Sequence, residues 1–135
     1  SMEYGEASDT YSGNPHGCAA VTAALDVYES QPIVANCQEM SRRLQAGLSS
    51  LREEFAHVAN VRGEGLVWGV EMAPVGGRSA DDIANAAVLA CYDEGVHLLG
   101  PLAKRVLRVS PPLVITAEEL DSGVEGMRRA LRAIA

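Results

Sequence analysis

Three segments of this 135-residue chain hold residue types whose spacing can do chemistry. The first is Thr10-Tyr11-Ser12-Gly13-Asn14-Pro15. Hydroxyls and a glycine just ahead of a helix start form an oxyanion or phosphate site, because free N–H groups and the helix dipole converge there. A plain N-cap behind a polar lead-in explains the same residues. The second is Leu107-Arg108-Val109-Ser110-Pro111-Pro112. An arginine inside an apolar strand is costly unless it meets an anion, and a structural carboxylate or a bound ligand fits equally. The third is Arg62-Gly63-Glu64-Gly65, whose glycines read first as relief for a tight strand entry.

The other reactive side chains show no pattern. Cys18, Cys37 and Cys91 are odd in number and far apart, which suits reduced, buried thiols in a cytosolic protein better than disulfides or a zinc site. His16, His57 and His97 have neither metal-ligand nor catalytic spacing. His57 is expected as a cation at a helix end, His97 as a half-buried strand residue, and His16 beside the possible anion site. Lys104 is the one lysine, so chemistry needing a lysine nucleophile must use it or look elsewhere. A net charge of −7 argues against nucleic acid or an anionic membrane as partner, and no apolar run is long enough to span a bilayer. Gly76-Gly77 is too poor a pattern for a phosphate loop, and the Arg128, Arg129 and Arg132 group and Arg78 are expected on solvated faces.

The elements that must position these groups follow from periodicity and caps. Ser1 before Met2 reads as a residue left by tag removal, and residues 1–13 as an extended lead-in. Asn14-Pro15 starts an alanine-rich helix, apolar nearly all round and so expected to be buried on more than one side. Pro32 interrupts it, and Ile33, Cys37, Met40, Leu44, Leu48, Leu51 and Phe55 form the stripe of a long second helix. Residues 61–65 read as a turn, and Leu66, Trp68, Val70 and Met72 alternate as in a strand. Ser79 with Asp82 caps a third helix and Thr116 with Glu119 a fourth. Between them, Val96–Leu99 and Val106–Val109 read as a short hairpin. The result is one small α+β domain, a short mostly antiparallel sheet covered by helices.

Taken in order, three stretches resemble the C-terminal part of class III aminotransferases, the pyridoxal-phosphate family of ornithine, acetylornithine, 4-aminobutyrate, putrescine and omega-amino-acid transaminases. They are Thr10-Tyr11-Ser12-Gly13-Asn14-Pro15-His16-Gly17-Cys18-Ala19-Ala20, Val61-Arg62-Gly63-Glu64-Gly65-Leu66 with Gly69-Val70-Glu71, and Leu107-Arg108-Val109-Ser110-Pro111-Pro112-Leu113. The resemblance runs over about residues 8 to 135. It implies the small C-terminal domain of a fold type I enzyme, with residues 14–135 as that domain and its first helix as the link to a large domain. It implies that Thr10, and more weakly Ser12, binds the phosphate of pyridoxal 5'-phosphate across a homodimer. It also implies that Arg108 binds a substrate carboxylate.

The family's Schiff-base lysine lies upstream of the threonine segment, and Lys104 matches no family nucleophile. The resemblance therefore implies a fragment with no catalytic residue of its own, inactive alone. The complete cytoplasmic enzyme would move an amino group between a small-molecule amine or omega-amino acid and a keto acid. An aminomutase or decarboxylase of the same fold type, or a catalytically empty ligand or interaction module, are the alternatives.

Overall fold

The computed structural model describes residues 13–100 and 104–135. The chain divides into two compact units, one ending at Val34 and the other spanning Ala35–Ala135.

The first unit contains α1 (Pro15–Ser30). Asn14 Oδ1 accepts from the His16 and Gly17 amides at 2.9 and 3.5 Å, and Pro15 has no N–H to lose. Gln31 and Pro32 end the helix. The expected burial is not met. No residue of α1 is buried, and Val21, Leu25 and Tyr28 are 60%, 57% and 48% exposed. Its alanines and the Asn14-Pro15 start favour the helix locally, but its own unit offers no surface to bury it.

The second unit is an antiparallel sheet with helices packed on one face. Its strands β1 (Val58–Glu64), β2 (Val67–Met72) and β3 (Val106–Val109) lie in the order β1-β2-β3. Helices α2 (Ile33–Glu54), α3 (Ala80–Asp93) and α4 (Ala117–Ala133) complete it. The predicted stripe of α2 is buried from Met40 through Leu44, Leu48 and Leu51 to Phe55, in one core with Trp68, Val70, Leu107, Ile83 and Leu131. Both predicted caps form. Ser79 Oγ accepts from the Asp82 amide, and Thr116 and Glu119 make a reciprocal capping box.

Helices α2 and α4 approach closely because Gly47 faces Val124, whose methyl groups would stand 3.0 Å from an added Cβ. Arg43 pairs with Asp121 across this contact, and Arg128 with Glu54 and Ser50. Arg128 is therefore not on a solvated face; its side chain is 22% exposed and ties two helices together.

The strands differ from expectation in two places. Residues 61–64 are the second half of β1, not a turn, and the two-residue turn is Gly65-Leu66. Gly65 has φ +56°, the positive value at the first central position that suits a tight hairpin. A register shift between Val58 and Asn60 breaks the alternation that would have revealed β1. Gly63 crosses so close to β2 that an added Cβ would stand 2.4 Å from the Val67 carbonyl oxygen and 2.7 Å from Trp68 Cα. Residues 96–99 form no strand. Leu99 makes one isolated bridge to Arg108, and the partner of β3 is β2.

Two expectations about titratable side chains also fail. His57 is 2% exposed, with Nε2 lacking a hydrogen-bond partner among the described residues. Burial pushes its pKa below the ordinary imidazole value, partly offset by the Leu131 carbonyl, so it is a neutral core residue and not a helix-end cation. Of the cysteines only Cys91 is buried, and burial raises its thiol to about 11; Cys37 is half-buried and Cys18 exposed.

Candidate functional site around Arg108

Strand alternation fixes Arg108. Its neighbours Leu107 and Val109 are 0% and 7% exposed, so they enter the core while Arg108 points from the opposite, exposed face. No ion pair among the described residues includes Arg108. The structural carboxylate that sequence left open for it is thus not among them.

The segment after Arg108 is held from two directions. Pro111 and Pro112 restrict its backbone, and Asn36 of α2 donates its Nδ2 to the Leu113 and Ile115 carbonyls at 2.8 and 3.2 Å. Sequence gave no hint of Asn36, because its partners lie 77 and 79 residues away. This segment and the 94–99 loop line a cleft of about 770 Å³ with Arg108, His97, Ser110 and the first turns of α4 in its wall. Gly126 lets the loop reach α4: an added Cβ would stand 2.6 Å from Val96 Cγ2.

Arg62 and Glu71 share the exposed sheet face with Arg108. Arg62 Nη1 donates to Glu71 Oε2 at 2.9 Å and Arg105 Nε to Glu71 Oε1 at 3.0 Å. The Arg62 guanidinium, with Arg105, holds the Glu71 carboxyl below the usual carboxylate range. The Arg62 partner depends on strand register. The signal was available in the hairpin: with a two-residue turn at Gly65-Leu66, residue 62 opposes 69 and lies diagonal to 71.

Thr10 and Ser12 lie outside the described residues. At the start of α1, Asn14 caps the helix, accepting from the His16 and Gly17 amides through Oδ1 and from the Cys18 amide through its carbonyl. His16 is exposed. Lys104 is an exposed turn residue with φ 57°, not a buried amine. Among the described residues no group of three His, Cys, Asp or Glu side chains suits a metal ion. Gly76 and Gly77, at φ +58° and +80°, form the tight turn between the bridged Val75 and Arg78.

The family model for aminotransferase class-III matches residues 1–131. An acetylornithine aminotransferase of Nostoc sp. is 32% identical over 131 residues, covering 96% of this chain and 30% of that protein. An (R)-1-hydroxy-2-aminoethylphosphonate ammonia-lyase of Vibrio splendidus is 30% identical over 93% of the chain, which spans 26% of it. An alanine/serine racemase of Pyrococcus horikoshii is 30% identical over 95% of the chain, which spans 27% of it. Among solved structures, a PLP-bound amine transaminase from an uncultivated Pseudomonas species superposes with a TM-score of 0.83 at 26% identity, over 98% of this chain and 30% of that one. The chain belongs to the class III aminotransferase family, and its α+β fold is the one shared with these transaminases. It spans about 30% of the length of the aminotransferases it matches.

Proposed function

We propose that this chain is the C-terminal small domain of a pyridoxal-phosphate-dependent aminotransferase, and that Arg108 binds the carboxylate of its substrate. Residues 14–135 form that domain, with α1 as the link to the rest of the enzyme. The observation that carries the reading is Arg108, turned out of the core beside a cleft, without a carboxylate partner among the described residues.

Pyridoxal phosphate, when bound, supplies the electron sink for amino-group transfer. The described residues do not make its pocket: Lys104 is exposed, and the first amides of α1 are taken by Asn14. What this chain contributes is substrate orientation by Arg108, whose planar fork offers a carboxylate two parallel N–H···O bonds. Thr10, with a weaker part for Ser12, is proposed to donate to the cofactor phosphate of the partner subunit in a cytoplasmic homodimer. The free thiols Cys18, Cys37 and Cys91 support a reducing compartment. No described helix is long and apolar enough to cross a membrane.

The reaction is amino transfer between an amine or omega-amino acid and a keto acid. A different reaction on the same fold type is the second reading, because the ammonia-lyase and the racemase are also about 30% identical to this chain. Incubating the full-length protein with pyridoxal phosphate, an omega-amino acid and a keto acid separates the two. Stoichiometric formation of a new amino acid is expected; racemised, deaminated or decarboxylated product without transfer would refute the aminotransferase reading.

A further inference from the structure

The exposed face of the sheet gathers guanidinium groups around a backbone that has no side chain between them. Arg62 of β1 and Arg108 of β3 both oppose Gly69 of β2, one from each side. All three project to the same face, and two strand spacings of about 4.8 Å separate the arginine backbones. Gly69 leaves the space between them unfilled, and even a Cβ there would stand 3.1 Å from Val106 Cγ1. The resulting hollow is about 410 Å³ and is lined by Arg62, Trp68, Gly69, Leu99, Val106 and Arg108.

Its charge balance favours an anion. Arg62, Arg105 and Arg108 set three guanidinium groups against two carboxylates, Glu71 and Glu64. Glu71 pairs with Arg62 and Arg105; Glu64, at the turn, pairs with no arginine among the described residues and lowers but does not cancel the positive excess. Arg62 uses Nη1 for Glu71, so Nε and Nη2 have no partner among the described residues. The Arg108 fork has none there either.

We propose that this hollow is a subsite for a doubly negative oxyanion of the phosphate or phosphonate type, held jointly by Arg62 and Arg108 above Gly69. A single carboxylate is satisfied by the Arg108 fork alone. A second charge on the same group needs a second guanidinium, and two arginines either side of a bare glycine provide it. The inference rests on the reading of Arg108 as an anion-binding arginine, and the test below separates the two.

The arginine Nε–H signals of the 135-residue chain are followed by NMR during titration with inorganic phosphate and, separately, acetate at matched ionic strength, at about pH 8 where phosphate is mostly doubly charged. Phosphate is expected to shift both Arg62 and Arg108 with one dissociation constant, roughly fivefold tighter than acetate. Acetate should shift Arg108 alone. Arg62→Gln is expected to bring phosphate down to the acetate affinity while leaving acetate unchanged, and Arg62→Lys to restore part of the difference. Gly69→Val, which fills the floor, should remove phosphate binding and spare acetate. An unchanged phosphate preference in Arg62→Gln, or a phosphate titration that never moves Arg62, overturns the subsite and leaves the Arg108 reading intact. Acetate and phosphate binding that both survive in Arg108→Gln overturn both.

Discussion

Gly63→Ala should destabilise the chain far more than its chemistry suggests. A methyl group at this position would stand 2.4 Å from the Val67 carbonyl oxygen, 2.7 Å from Trp68 Cα and 2.7 Å from Trp68 Cδ2. Two of these three atoms are backbone, so no rotamer change relieves the contact; β1 must move away from β2 at the end of their hairpin. Ordinary overpacking costs about 1–3 kcal/mol, and a clash against backbone belongs at the upper end, near 3 kcal/mol. Gly69→Ala is the control on the same hairpin. Its new Cβ meets only Val106 Cγ1, at 3.1 Å, so a small side-chain adjustment suffices and roughly 1 kcal/mol or less is expected. Trp68, the single tryptophan, packs at the site of the clash and reports it by fluorescence during urea unfolding. With a urea slope near 1.5–2 kcal/mol/M, the midpoint of Gly63→Ala should fall by roughly 1.5–2 M and that of Gly69→Ala by about 0.5 M. Equal shifts for the two variants, or a Gly63→Ala change below about 0.5 kcal/mol, would refute the argument from close approach.

Three further outcomes follow from other parts of the molecule. Burial lowers the folded-state pKa of His57, so its contribution is fully present above the unfolded value of about 6.5 and is lost as pH falls through the folded value; urea unfolding between about pH 5 and 7 should show stability falling toward acid, less steeply in His57→Phe, and identical slopes would contradict a neutral buried imidazole. Lys104 is exposed in its turn, so pyridoxal phosphate and borohydride should give the 135-residue chain no stoichiometric, saturable label there by mass mapping; such a label together with transaminase turnover would show that the chain is active alone. If Thr10 donates to the cofactor phosphate across a homodimer as proposed, Thr10→Val in the full-length protein should weaken cofactor retention by roughly 1–2 kcal/mol through loss of one hydrogen bond to a charged group. Mixed dimers with a lysine-dead subunit test the crossing, and unaltered affinity removes Thr10 from the site.

Much of this architecture was readable because its signals are local. The apolar stripe of α2, the Ser79 cap and the Thr116/Glu119 box each depend on residues within a few positions of one another, and all three form. The turn of Arg108 away from the core follows from alternation across only three residues. What was missed depends on pairing. The bulge between Val58 and Asn60 hides β1, and the nearest apolar run, Val96–Leu99, imitates a partner for β3 although β2 fills that place. Arg62, Glu71 and Asn36 gain meaning only once register and long-range contacts are known. His57 misled for a related reason. The chain turns inward after α2, so a residue near a helix end became core.

Kinetics of Arg108→Lys in the full-length protein, measured in parallel half-reactions, test the account at its centre. One substrate bears a carboxylate and the other is an amine without one. Lysine keeps the charge but loses the two-bond fork, and loss of such a desolvated pair costs a few kcal/mol, so kcat/KM for the carboxylate substrate should fall by about 10²-fold or more. The amine half-reaction should change little, and the melting temperature should hold, because Arg108 supports no ion pair among the described residues. Equal losses for both substrates together with a lower melting temperature would mean that Arg108 holds the protein together and not the substrate.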